Sequence, residues 1–87
     1  MQREDTSLSL RIRSRLPELS RSEAAVASYI ADNPDEVIHL SVSALAEICG
    51  VSDPTVIRAC RNLGYSGYQA MKVALIQSLS SSIPLSG

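Results

Sequence analysis

Two short amphipathic segments on either side of a glycine constrain this chain more than any other feature. They lie in the stretch LAEICGVSDPTVIRACRNLGYSGY, residues 45–68, where Leu45 and Ala46 begin an apolar helical face. Gly50 can adopt the left-handed backbone that ends a helix, and Val51 supplies an apolar contact inside the turn. The second segment turns one apolar face inward, formed by Val56, Ala59, Cys60 and Leu63. The pattern predicts two helices joined by a sharp turn, which is a helix-turn-helix.

The segments that precede this motif are also predicted to be helical. Residues 8–16 fit either strand or helix periodicity, and we interpret them as a helix because no partner strand is evident. Ser20 and Glu23 have the spacing of a capping box, which starts the second helix. Asn33 ends that helix because Pro34 disfavours the helical conformation in the residue before it.

The rest of the chain completes a small helical bundle. A short helical turn is predicted to start at Pro34, and Ser41 caps the first helix of the motif. A last helix is predicted over residues 67–79, and its Val73 and Ile76 lie off the main apolar face, which favours a subunit contact. The predicted fold class is all-α: a small helical bundle of about five helices containing a helix-turn-helix.

One domain is expected from a length of 87 residues. We assign residues 1–79 to it and interpret residues 80–87, which are rich in serine, as a flexible tail or the start of a linker. The first ten residues lack the layout of a secretion signal, and no apolar run has the length of a membrane helix. Cytoplasmic localisation is therefore expected.

Charge is segregated along the sequence although the net charge is only −1. Residues 1–21 hold five arginines and three acids, and residues 22–53 hold six acids and no lysine or arginine. Residues 54–87 hold three basic residues and no acid. The low net charge argues against a strongly basic nucleic-acid binder, whereas two basic ends provide a candidate binding surface.

The second helix of the motif, predicted over residues 53–63, has an outward face that suits DNA. Pro54, Arg58 and Arg61 point away from the apolar face, and Asp53 is the one acid on this helix. A projecting helix of this kind enters the major groove of double-stranded DNA. A plain solvated helix face is the alternative interpretation.

Other function classes have weaker support. Cys49 and Cys60 lie on predicted apolar faces, and two buried, reduced thiols are favoured over a disulfide. With one histidine, His39, the chain offers neither enough ligands for zinc nor a nucleophile and base pair, so we expect no metal, no cofactor and no enzyme activity. A helical protein-interaction or dimerisation module without DNA binding remains the alternative function.

Residues 19–75 also resemble the N-terminal DNA-binding domain of the RpiR family of bacterial transcription regulators. The resemblance is most specific in residues 45–68 and the following Lys72. It implies a transcription regulator of sugar or carbon metabolism. Such regulators join this domain to a C-terminal sugar isomerase (SIS) domain that binds a phosphosugar effector, and that second domain is absent from these 87 residues.

Candidate DNA-binding residues follow from the predicted geometry. Arg58 and Arg61 can bind guanine edges or phosphates through paired hydrogen bonds. Pro54 fits a thymine methyl group. Further phosphate contacts are Ser52, Thr55, Asn62, Tyr68 and Lys72. For Ser52 a capping role, and for Tyr68 a core position, are the alternatives. Because one recognition helix gives limited specificity, we expect a homodimer on a two-fold operator.

Overall fold

The structure is a computed structural model that describes the backbone of residues 4–81 and the side chains of residues 10–79. In this range all regular structure is helical, in agreement with the predicted fold class. The first half contains α1 (Glu4–Arg15), a 3-10 turn (Leu16–Glu18), α2 (Arg21–Asp32) and α3 (Pro34–Val37). The second half contains α4 (Val42–Cys49), α5 (Asp53–Asn62) and α6 (Tyr68–Ser81). Five of these α-helices have eight or more residues.

Local capping signals set most of the helix ends. At the start of α2 the Glu23 amide donates to the Ser20 hydroxyl and the Ser20 amide donates to the Glu23 carboxylate, which confirms the capping box. The Ser41 hydroxyl accepts a hydrogen bond from the Ala44 amide at 3.1 Å, as predicted for α4. Asn33 ends α2 immediately before Pro34.

Two glycines end the two helices of the motif. Gly50 has φ 72° and Gly64 has φ 104°, both in the left-handed region where a side chain would be strained. The amide of the residue after each glycine donates to a carbonyl five residues earlier in the chain: Val51 to the Ala46 carbonyl at 2.9 Å, and Tyr65 to the Cys60 carbonyl at 3.0 Å. These are Schellman bonds, which satisfy carbonyls that a helix end leaves open. The α4–turn–α5 unit is therefore fixed by local chemistry.

Two details at the helix ends differ from the sequence-based predictions. Ser52 occupies the position before α5, but its hydroxyl caps no backbone amide, so the capping prediction for Ser52 is wrong. Pro54 has no N–H, and the Thr55 N–H bonds the Ser52 carbonyl at 3.0 Å, so the two amides that a cap would use are unavailable. The last helix runs to Ser81 rather than 79, and the rest of the predicted tail lies outside the described residues.

A single buried core holds the bundle together. α5 packs against α2, α4 and α6, while α1 packs against α2 and α6. The buried apolar side chains are Ile12, Val26, Ala27, Ile30, Ala31, Val37, Leu45, Ala46, Val56, Ala59, Cys60, Leu63, Tyr68, Met71 and Leu75. All four residues predicted on the inner face of α5 are in this core. Cys49 is only half-buried, so the prediction of two buried thiols holds for Cys60 alone.

Candidate nucleic-acid interface

The outer face of α5 is open to solvent and carries two arginines. Pro54, Arg58 and Arg61 are exposed, while Val56 and Ala59 on the opposite face are fully buried. Among the described side chains, neither guanidinium forms a salt bridge or a hydrogen bond. Their donors are therefore free for an external anion or base edge.

The acid on α5 is directed toward the first helix of the motif. The Asp53 carboxylate accepts a hydrogen bond from the Ser43 hydroxyl of α4 at 2.8 Å. This contact joins the two helices of the motif across their turn. It also leaves the arginines on the outer face without a neighbouring ion-pair partner in the described part of the chain.

Ile57 lies on the same outer face as the two arginines and was not among the candidate residues predicted from the sequence. Its side chain is 38% exposed and lines two concave surfaces, of about 380 Å³ and about 650 Å³. The smaller lies along α5 between Asp53 and Arg61, and the larger is a groove that also reaches Ser41 and Lys72. The sequence spacing could have predicted this position, because residue 57 follows Pro54 by three and precedes Arg61 by four, and residues so spaced share one helix face.

The first turn of α5 holds a pair of hydroxyl groups. The Ser52 and Thr55 hydroxyls lie 2.9 Å apart, and one donates to the other. Ser52 is exposed and Thr55 is half-buried. A pair of hydroxyls that share one hydrogen bond retains one donor hydrogen and free lone pairs, so it can still bind a phosphate oxygen.

Tyr68 and Lys72 at the start of α6 converge on one backbone carbonyl. The Tyr68 hydroxyl donates to the Leu40 carbonyl at 2.7 Å, and the Lys72 ammonium donates to the same oxygen at 3.2 Å. The ammonium also lies 5.4 Å from the centre of the Tyr68 ring. The Tyr68 side chain is in the core, where burial is the main reason that its pKa is raised to about 12. Both residues therefore hold α6 against the segment that precedes α4.

Asn62 is tied to the start of α2. Its side-chain amide donates to the buried Glu23 carboxylate at 3.0 Å. The same carboxylate oxygen accepts the capping bond from the Ser20 amide. A longer contact of 3.4 Å runs from the Arg15 guanidinium to the Asn62 carbonyl. The end of α5 is thus connected to both α1 and α2.

Catalytic and metal-binding chemistry has little support in the described residues. Burial raises the pKa of the Cys60 thiol to about 12 and also raises that of Cys49, so both thiolates are disfavoured. His39 is exposed. Among the described residues, no group of three His, Cys, Asp or Glu side chains could hold a metal ion. Within residues 4–81, no helix combines the length and hydropathy that a membrane span needs.

Comparison with known families identifies the motif. Residues 6–82 match the helix-turn-helix domain of the rpiR family. The chain belongs to the RpiR family of helix-turn-helix domains. The family resemblance that residues 19–75 indicate is thereby confirmed, and the match extends to α1 and α6.

Two curated relatives of this RpiR-family chain are transcription regulators named HexR. The regulator HexR of Pseudomonas aeruginosa is 49% identical over 70 residues, which are 80% of this chain and 25% of HexR. HexR of Escherichia coli is 43% identical over 74 residues, which are 85% of this chain and 26% of that protein. This chain spans about a quarter of the length of these regulators.

Two further similarities extend the comparison. A protein of Burkholderia thailandensis named bifunctional protein glk is 37% identical over 76 residues, covering 87% of this chain and 12% of that protein. The solved structure of Vibrio vulnificus NanR, complexed with ManNAc-6P, superposes with a TM-score of 0.81 at 36% identity. This similarity covers 86% of the RpiR-family chain and 29% of NanR.

Proposed function

We propose that this chain is a sequence-specific DNA-binding domain of a bacterial transcription regulator, with α5 as the recognition helix in the major groove. The observation that carries the proposal is the outer face of α5, where Arg58 and Arg61 are exposed and have no partner among the described side chains. The RpiR family match supports the same function. An arginine can donate two hydrogen bonds to guanine or to a phosphate, which suits either kind of contact.

Apolar side chains on the same face contribute to recognition of thymine. Pro54 is exposed in the first turn of α5, and Ile57 is 38% exposed on the concave surface that the two arginines also line. The thymine methyl group is the apolar feature of the major groove, so these two side chains are matched to it. Ser52 and Thr55 bind phosphate oxygens beside the first turn, where helix amides also favour an anion.

Asn62, Tyr68 and Lys72 are weaker contacts in this proposal because each is engaged within the protein. The Asn62 amide is bonded to Glu23, and the Tyr68 hydroxyl is bonded to the Leu40 carbonyl. Lys72 uses one of its three donors on that carbonyl and lines the groove beside Arg61, so a phosphate can still bind its ammonium.

A homodimer on a two-fold operator is the proposed binding unit. Val73 and Ile76 on α6 are 50% and 45% exposed, and Leu10 on the neighbouring α1 is 60% exposed. Apolar side chains left open on two adjacent helices support a subunit contact there. Half-sites about 34 Å apart, or a multiple of that distance, follow from one recognition helix in each subunit.

The proposed regulator acts in the cytoplasm on genes of sugar or carbon metabolism. NanR is complexed with ManNAc-6P, and this chain covers 29% of NanR. A phosphosugar effector would therefore bind outside these 87 residues, in a C-terminal sugar isomerase domain. We propose no enzyme activity for the domain itself, which is supported by its similarity to HexR regulators and by the raised pKa of both thiols.

Selection of duplexes from a random pool with the 87-residue chain tests this function. We expect a defined half-site, and an affinity that falls steeply as salt rises from about 50 to 200 mM because bound counterions are released. A protein-interaction module without DNA function would enrich no sequence and bind no duplex. That outcome would replace the proposal by its alternative.

A further inference from the structure

α1 carries arginines that have no role in the DNA contacts proposed so far. Arg11 and Arg15 are four residues apart, so their side chains emerge from the same face of α1, with Cβ atoms about 5–6 Å from each other. Arg11 is exposed and Arg15 is half-buried. They belong to the basic first part of the sequence.

This face of α1 lies beside the C-terminal end of α5. The Arg15 guanidinium donates to the Asn62 carbonyl at 3.4 Å, and Asn62 is the neighbour of Arg61 on the recognition helix. Arg11 acts on Tyr65, which lies just past the end of α5. Burial is the main reason that the pKa of Tyr65 is raised, and the positive charge of Arg11 opposes that rise. Two cationic side chains of α1 therefore lie near the C-terminal end of α5.

Both arginines have donors available to an external anion. Arg15 makes one long hydrogen bond to a neutral carbonyl, and its remaining N–H groups have no partner among the described side chains. Arg11 forms no side-chain hydrogen bond or salt bridge in that range. The nearby exposed acid along the chain, Glu18, pairs with neither of them. Arg13 differs, because it forms a salt bridge with Asp32 on the opposite side of α1.

We propose that Arg11 and Arg15 form a second phosphate-binding surface, which binds the DNA backbone beyond the C-terminal end of α5. The proposal rests on the proposed function, because it requires α5 to lie in the major groove. Contacts of this type fix the register and orientation of the protein on the duplex without reading sequence. Each neutralised phosphate releases counterions, so it contributes about 0.9 to the slope of log affinity against log salt.

The test measures duplex affinity at several salt concentrations by fluorescence anisotropy, with one labelled mixed-sequence duplex of about 30 base pairs, or three helical turns. For the 87-residue chain with Arg11→Ala and Arg15→Ala, we expect the slope to become shallower by about 1.8, the sum for two phosphates. Arg11→Ala alone should change it by about 0.9. Because the Arg11 side chain makes no hydrogen bond in the described structure, this single variant should fold normally.

Arg13→Ala is the matched control, since it removes the same charge from the same helix at a position already paired with Asp32. It should leave the slope unchanged. If Arg11→Ala and Arg13→Ala give the same slope as the unsubstituted chain, the α1 surface is overturned. A different result would contradict the proposed function itself: the unsubstituted chain binds no duplex, or the double variant Arg58→Ala with Arg61→Ala binds as tightly as the unsubstituted chain. Failure of the α1 surface and failure of α5 as the recognition helix are therefore distinguishable.

Discussion

The outer face of α5 and the start of α6 both carry polar side chains that can bind DNA, but they differ in what those side chains already contact. Arg58 and Arg61 on α5 have no partner among the described residues. Tyr68 and Lys72 on α6 both donate to the Leu40 carbonyl. Side-chain chemistry makes a residue a candidate for recognition, whereas the absence of an internal partner makes it available. Substitutions in the two regions should therefore affect different measurements.

The largest effect is expected at Tyr68, on the stability of the fold. Tyr68→Ala removes a buried aromatic ring and should lower the free energy of unfolding by about 3–5 kcal/mol, measured by urea denaturation. Tyr68→Phe is the control, because it keeps the ring and removes one hydrogen bond, at a cost of about 0.5–1.5 kcal/mol. An alanine variant as stable as the unsubstituted chain would contradict the assignment of Tyr68 to the core.

Arg58 should show the reverse behaviour, with a loss of binding and no loss of stability. Arg58→Ala is expected to weaken binding to the selected duplex by about 1–3 kcal/mol and to relax the preference at one base pair. Arg58→Lys keeps the charge without the paired donors, so it separates base reading from phosphate contact. Unchanged affinity of the alanine variant at fixed salt would remove Arg58 from the interface.

Lys72 tests whether one residue can both stabilise the fold and bind DNA. Lys72→Met removes the ammonium group but keeps most of the apolar stem, and should lower the free energy of unfolding by about 0.5–1.5 kcal/mol. Tyr68→Phe loses one bond to the same carbonyl without a charge change, so it is the matched control for duplex binding. We expect the methionine variant alone to bind DNA with a shallower salt slope. Equal slopes for the two variants would restrict Lys72 to a structural role.

The smallest effect is expected at Ile57, where one methyl group of the DNA is involved. Replacement of the contacted thymine by uracil removes this methyl group. It should weaken binding by the unsubstituted chain by about 0.8 kcal/mol, the value for burial of one aliphatic carbon group. The Ile57→Ala variant should discriminate little between the two duplexes. Ile48→Ala on α4 removes a side chain that is also exposed, at 50%, but lies outside α5, and it should retain the full discrimination. If the Ile57→Ala variant still prefers the thymine duplex to the uracil duplex by the full amount, a contact between Ile57 and the thymine methyl group is excluded.

The helix ends were largely predictable from the sequence because their chemistry is local. A capping box, a proline after Asn33 and the glycine at 50 act over a few residues, and all three features are found in the structure. The Ser52 cap was wrong for an equally local reason, since Pro54 removes one of the amides that the cap would use. The inner face of α5 followed from helical periodicity.

The partners of Asn62 and Tyr68 could not be predicted from the sequence. Asn62 bonds a residue 39 positions away, and Tyr68 bonds one 28 positions away. These contacts depend on how the helices pack, which periodicity does not specify. The DNA-binding roles of these residues and of Lys72 remain predictions. Ile57 was predictable, because its spacing from Pro54 and Arg61 places it on the outer face.

An NMR titration of the isotope-labelled 87-residue chain with the selected duplex tests the central claim most directly. The account predicts that the largest shifts occur at the Arg58 and Arg61 side-chain N–H groups and along the outer face of α5. Signals from α3, whose exposed side chains include Asp35 and Glu36, should change little. Shifts concentrated on α3, with α5 unchanged at saturating duplex, would contradict α5 as the helix that contacts DNA.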